Sequence, residues 1–252
     1  MLKVRFLGTG SSAGVPVPGC RCNVCASQKN GNRRYRPGLL IYYHQKNILI
    51  DAPQELRLQL LESRARTIDA LLITHCHADH VYGLDDVRIF SKESKLPVFG
   101  GVETLSELKA IFPYVFKRTQ KAGAKPRLRL VPLDACFQLF GKEIIPLPVY
   151  HGKKRIYGYR IDGFAYIPDC SQIPRKTFLL LNDLNILVID ALRLMPHPTH
   201  FCLSESIDVA KKIRAGQTYF THLSHEIDYS NRDKLPLGMD FAYDGLVLSV
   251  PT

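Results

Sequence analysis

Apolar residues along this chain fall in short runs separated by polar or Gly/Pro-containing segments. LKVRFLG (2–8) alternates and predicts a strand. GLLIYYHQKNILIDA (38–52) is two apolar runs around a polar turn at 44–47, which predicts a hairpin with His44 at the surface. PQELRLQLLES (53–63) has leucines at 56, 60 and 61, a helical spacing, with Pro53 opening the helix. DALLITH (69–75) predicts a short buried strand, VYGLDDVRIFSK (81–92) a helix, LPVFG (96–100) a strand and TLSELKAIF (104–112) a helix.

The second half has the same character. YGYRIDGFAYIPD (157–169) predicts a hairpin turning at Asp162-Gly163. ILVIDA (186–191) predicts a buried strand, SESIDVAKKIR (204–214) a helix capped by Ser204, and TYFTHLSH (218–225) a strand running into polar residues. Strands and helices alternate with hairpins mixed in. The expected architecture is an α/β fold of two mixed sheets packed together with helices outside.

The bulk numbers agree. A chain of 252 residues, 46% of them hydrophobic, suffices for one large domain (1–252) with a full core. No apolar run approaches the ~20 residues of a membrane span. MLKVRFLGTG lacks the apolar region of a signal peptide and reads as a first strand, so the expected location is cytoplasmic. The formal charge is 34 − 23 = +11. It suits a phosphorylated or nucleic-acid substrate, or equally a solvated basic surface. Its densest stretch, KRTQKAGAKPRLR (117–129), has Phe116 as its one aromatic neighbour, lacks a stacking platform, and reads as a mobile connecting loop.

Chemistry concentrates in THCHADH (74–80), which holds three of the nine histidines at the end of a predicted strand, where open α/β sheets tend to place their sites. Imidazole and carboxylate together suit zinc, manganese or iron. His75 and His77 would share a face of an extended segment, and Asp79 and His80 could face a second ion. His151, Asp169 and His222 each sit at the end of another apolar run. The seven cysteines are odd in number, and three lie together as Cys20, Cys22 and Cys25. This pattern argues for reduced thiols and a metal site rather than a disulfide framework. Cys76 and Cys170 read as small packing residues.

His75-Cys76-His77-Ala78-Asp79-His80 matches the H-x-H-x-D-H motif, and with His151, Asp169 and His222 in order the chain resembles the metallo-β-lactamase superfamily. GTGSSAGVPVPGCRCNVC and THLSH are similar to the branch that contains the cyclic-phosphate phosphodiesterase of the carbon–phosphorus lyase pathway. The resemblance covers nearly the whole chain. It implies the metallo-β-lactamase αββα sandwich, with one metal site of His75, His77 and His151 and a second of Asp79, His80 and His222. Asp169 and a hydroxide would bridge the two. The implied cofactors are two divalent ions (Zn2+ or Mn2+) and one structural Zn2+. The last would be held by Cys20, Cys22 and Cys25, in a small zinc-binding loop (20–25), together with His225. Asp51 resembles an aspartate that orients the metal-binding loop. His200 would lie near the substrate and either protonate the leaving alkoxide or hold a phosphate oxygen. The nearby His197 competes for that role, but His200, just before the 204–214 helix, matches the family.

The resemblance therefore implies a metal-dependent phosphodiesterase of cyclic or small phosphodiesters, with Asp79, Asp169 and His200 in the catalytic set. The alternatives are a tRNA 3′-processing-type endoribonuclease, or an accessory protein of a cofactor pathway such as that of pyrroloquinoline quinone. The expected partner is a small phosphodiester. Nucleic acid is less favoured, no membrane is expected, and a homodimer would match the relatives.

Overall fold

The computed structural model describes residues 1–117, 125–133 and 135–251. Strands β1 (Leu2–Gly8), β2 (Gly38–Tyr43), β3 (Lys46–Ile50), β4 (Ala70–Leu72), β5 (Leu96–Gly100) and β6 (Leu128–Pro132) lie side by side in chain order. Strands β7 (Phe137–Leu139), β8 (Lys142–His151), β9 (Lys154–Ile161), β10 (Phe164–Ile167), β11 (Ile186–Asp190), β12 (Gln217–Thr221) and β13 (Met239–Phe241) form a second sheet, also in chain order. The last strand, β14 (Val247–Val250), returns to pair with β1. Pairing in each sheet is antiparallel first and parallel later. It is parallel from β3 to β6 and from β10 to β13.

The sheets pack face to face. Leu2, Val4 and Phe6 of β1 meet Tyr159, Phe164 and Tyr166 of the second sheet in one core. The reverse face of the first sheet, Leu40, Leu49, Leu71 and Val98, packs on Leu56, Leu60, Leu105 and Leu108 from two outer helices. The reverse face of the second, Leu187 and Ile189, packs on Ala210 and Ile213 of another. Both faces of these strands are covered, which explains the continuous apolar runs ILI and LVI. This is the expected αββα sandwich of two mixed sheets with helices outside. Among the described residues no helix is long and apolar enough to cross a membrane.

Several element boundaries differ from expectation. The first long helix is Leu56–Ser63, not 53–63. Pro53 instead uses its carbonyl in a turn to Leu56 N (3.0 Å). Leu56 and Leu60 are buried, whereas Leu61 is 61% exposed. The helix expected over 81–92 is two shorter pieces, Ala78–Val81 and a 3-10 segment Leu84–Phe90. Gly83 separates them because it presses on the chain at Pro53, where a Cβ would stand 1.9 Å from the Pro53 carbonyl oxygen. The helix expected at 204–214 is Leu203–Ile213, and its cap is Cys202 rather than Ser204. The Glu205 carboxylate closes that turn by accepting from Cys202 N (2.9 Å). The strands expected at 69–75 and 218–225 stop at Leu72 and Thr221. Of the basic stretch, Leu128 and Arg129 belong to β6. Residues 118–124, and with them most of the expected mobile loop, lie outside the described residues.

Candidate metal centre

Strand direction gathers the polar residues. β8 is antiparallel to β9 and β9 to β10, so β8 runs with the parallel strands β10 to β12. Asp51 follows β3, Thr74 and His75 follow β4, His151 closes β8, Asp169 follows β10, Asp190 closes β11 and His222 follows β12. Asp51, Asp169 and His222 have φ of 63°, 51° and 59°. Three non-glycine residues in the left-handed region, each costing on the order of 1 kcal/mol, are held there by their surroundings, and such strain collects at functional sites.

His75, His80 and His151 each have Nδ1 anchored outward, which leaves Nε2 to face the centre. His80 Nδ1 donates to Asp51 Oδ2 (2.7 Å), while Asp51 also accepts from Thr74 N (2.8 Å) and Thr74 Oγ1 (2.9 Å). Thr74 Oγ1 in turn accepts from His75 Nδ1 (3.1 Å). His151 Nδ1 donates to the Thr199 carbonyl (2.7 Å). On the inner side, His80 Nε2 is 3.2 Å from Asp169 Oδ1, and His75 Nε2 is 3.7 Å from Asp169 Oδ2. His222 Nε2 is 3.4 Å from both Asp79 Oδ2 and Asp169 Oδ2. The His77 ring stands 4.5 Å from that of His75 and 5.0 Å from that of His151.

The ligand atoms of His75, His77, His151 and Asp169 lie within 4.8 Å of one another, as do those of Asp79, His80, Asp169 and His222. The donor set fits divalent cations. His75 Nε2, His80 Nε2 and Asp169 Oδ1 are buried and make no hydrogen bond, a costly condition unless something else meets them. Bonds of about 2.0–2.2 Å to nitrogen and oxygen in a tetrahedron put neighbouring ligand atoms about 3.4 Å apart, comparable with the 3.2, 3.4 and 3.7 Å that separate Asp169 from His80, His222 and His75.

The electrostatics agree. Burial opposes charge on Asp169, but His222, His80 and His75 outweigh it and hold the carboxyl well below its usual range. Burial pushes His151 down to about 4, so it presents a neutral ring. Burial would also lower His222, yet Asp169, Asp79 and Asp190 raise it to about 9. The carboxylates thus attract positive charge into the centre, and a cation would compete there with protons.

His200 is 8% exposed and lies against the cluster. Its ring stacks on His222 (4.9 Å, 10°) and meets His151 edge-on (4.5 Å). Its Nδ1 donates to Asp190 Oδ2 (2.8 Å), which also accepts from Cys170 N (2.9 Å). His197 stands farther out, 5.1 Å from the His200 ring, with Nδ1 turned to Thr199 (3.3 Å to N). Asp190 escaped the sequence reading. Its signal was the pair of strands ILIDA (48–52) and LVIDA (187–191), each ending in an aspartate that anchors a histidine.

The second cluster lies apart. The sulfurs of Cys20, Cys22 and Cys25 are 3.3, 3.6 and 3.5 Å from His225 Nδ1. No cysteine is in a disulfide. Zinc–sulfur bonds of about 2.3 Å and a zinc–nitrogen bond of about 2.0 Å place such atoms about 3.6 Å apart, so this set also fits its ion. The Cys25 N–H on its sulfur brings the Cys22 thiol down to about 6. Cys76 and Cys170 are buried, and His44 is exposed in the β2–β3 turn.

The fold and the clusters define a metallo-β-lactamase architecture, and comparison with known proteins agrees. The model of the β-lactamase superfamily domain matches residues 46–223, and the chain belongs to that family. The crystal structure of a new diphosphatase from the PhnP family is 40% identical, with a TM-score of 0.92 over 98% of this chain and 96% of that one. An octanoyltransferase of Porphyromonas gingivalis is 35% identical over 251 residues, 97% of this chain. The chain spans 51% of that protein's length. Zinc-bound PqqB from Methylobacterium extorquens shares the fold at 19% identity, with a TM-score of 0.79 over 98% of this chain and all of that one.

Proposed function

We propose that the chain is a metal-dependent phosphodiesterase acting on cyclic or small phosphodiesters at a two-ion centre. The carrying observation is Asp169. Its Oδ2 faces His75 of one ligand set (3.7 Å) and His222 of the other (3.4 Å), and its Oδ1 faces His80 of the second set (3.2 Å), so the carboxylate stands between the two sets, where a bridging ligand would be needed. His75, His77 and His151 would complete the first set, and Asp79, His80 and His222 the second. Cys20, Cys22, Cys25 and His225 would hold a structural zinc with no open position. Two divalent ions, zinc or manganese, supply Lewis acidity toward phosphoryl oxygens and nucleophilic water near neutral pH.

The chain's own residues do the rest. Asp51 and Thr74 orient His80 and His75. Asp190 fixes the His200 ring with Nδ1 outward, so Nε2 is the nitrogen left to protonate a departing alkoxide. The likeness to a PhnP-family diphosphatase supports phosphoryl chemistry over other reactions of this fold.

The octanoyltransferase relative, of which the chain spans 51%, gives a second reading to test, in which the chain acts on an octanoyl group, offered here as a thioester. One panel tests both: a 2′,3′-cyclic nucleotide, an aryl phosphodiester, a diphosphate diester, a phosphomonoester and an octanoyl thioester, with Asp169→Asn as control. Diester turnover lost in the control is expected. Thioester turnover with silent diesters would overturn the phosphodiesterase reading and leave the metals standing.

A further inference from the structure

Arg34 is 3% exposed and takes no part in the metal clusters. Burying a guanidinium is expensive unless its donors are met. Here they are met by oxygens of the backbone and one amide. Nε donates to the Gly31 carbonyl (2.8 Å), Nη1 to the Ser224 carbonyl (2.9 Å), and Nη2 to the Ile227 carbonyl (2.8 Å) and Asn32 Oδ1 (3.3 Å). Burial lowers its basicity to about 10, so the site has a cost that some role must repay.

The role lies in what the carbonyls flank. Ser224 and Ile227 bracket His225, and His222 lies two residues before Ser224. One short segment therefore carries a histidine of each cluster. Asn32 extends the same brace, with its Nδ2 donating to Asp228 Oδ1 (3.0 Å) and its Oδ1 accepting from Tyr229 N (2.8 Å). Arg34 is itself fixed by a two-way backbone bridge to Val15 (2.7 and 2.9 Å), just before the cysteine loop. On the other side Ser224 N donates to the Leu192 carbonyl (2.8 Å). The left-handed backbone at His222 persists only if the residues around it are held.

We propose that Arg34 is a positioning residue that locks residues 222–227, so that His222 and His225 are set together and the two metal centres are coupled through one segment. The proposal rests on the two-ion reading above. It separates the two active-site ions. Arg34 bonds the segment that follows His222, whereas none of its hydrogen bonds reaches the elements that carry His75, His77 and His151. By linkage, an ion at the cysteine cluster and one at the His222 position each strengthen the other.

The test compares full-length, metal-loaded wild type and Arg34→Met after equilibration with the same chelator series. Occupancy of each position is read by anomalous diffraction, and the cysteine cluster also by its cobalt–thiolate absorption. Arg34→Met is expected to release the ions at the His222 and cysteine positions at about tenfold lower chelator concentration, with His75–His77–His151 occupied as in wild type. Wild-type occupancy at all positions, or equal loss from both active-site positions, would overturn the proposal. Should Arg34→Met not fold, Arg34→Lys keeps the charge but offers one nitrogen where three now act, and the same selective pattern is expected. A wild type that takes up no ion at the histidine–aspartate cluster would overturn the two-ion reading and this proposal together, a result distinct from either of the others.

Discussion

Asp51 Oδ2 lies 2.7 Å from His80 Nδ1, while Asp51 Oδ1 holds the Thr74 amide at 2.8 Å. One fully buried carboxylate thus fixes the start and the end of the loop that carries His75, His77, Asp79 and His80. Replacing Asp51 by Asn removes the charge that anchors His80. Metal affinity is expected to fall about 10–100-fold, as for other residues that orient ligands. Chelator competition measures it, and wild-type affinity would reduce Asp51 to a packing residue.

The Asp190–His200 pair makes a claim about the leaving group. Proton donation by a positioned acid contributes about 10²–10⁴-fold. His200→Gln and Asp190→Asn are expected to slow diesters with alkyl leaving groups by that order and nitrophenyl diesters far less, because a nitrophenolate departs without a proton. Equal losses on both substrates would assign His200 to substrate binding.

The cysteine cluster predicts a pattern of thiol reactivity. Cys136 is exposed, whereas Cys76, Cys170 and Cys202 are buried. In metal-loaded protein a thiol reagent is expected to modify Cys136 rapidly and spare Cys20, Cys22 and Cys25. After chelation those three join it, and the melting temperature falls. Rapid reaction of Cys22 in loaded protein would show that no ion is bound there.

Asp244 predicts a slope of stability with pH. Burial raises its carboxyl to about 7, although Tyr35 N (2.6 Å) and Thr9 Oγ1 (2.7 Å) donate to it and pull the other way. Between the ordinary value of 3.8 and about 7, the folded protein holds a proton that the unfolded chain has lost. Stability therefore declines as pH rises through that window. Asp244→Asn is expected to flatten this decline. Denaturant midpoints of metal-loaded wild type and variant at pH 5 and 8 would decide it, and parallel changes would refute it.

Most of the candidate site was legible in the chain because its ligands announce themselves locally. H-x-H-x-D-H places four polar side chains in six positions after an apolar run. His151, Asp169 and His222 each end a run long enough to be a buried strand. C-x-C-x-x-C is equally compact. The fold class followed from the alternation of runs, since a strand buried on both faces and an amphipathic helix leave different periods. Boundaries were less legible where a distant contact ends an element, as Gly83 does by pressing on Pro53.

The sequence by itself determined the strands and the polar residues at their ends, because periodicity and spacing are local properties, and the likeness of H-x-H-x-D-H to a known motif grouped those residues into candidate ligand sets. Only the tertiary structure decided that Asp169 shows one oxygen to His80 and the other to His75 and His222. It alone also decided that Asp190 serves His200, and that Arg34 reaches across 190 residues to the Ser224 carbonyl. Those relations depend on parallel strands ending side by side, and on a backbone turned left-handed at Asp51, Asp169 and His222. Neither is written in the spacing of residues along a single strand.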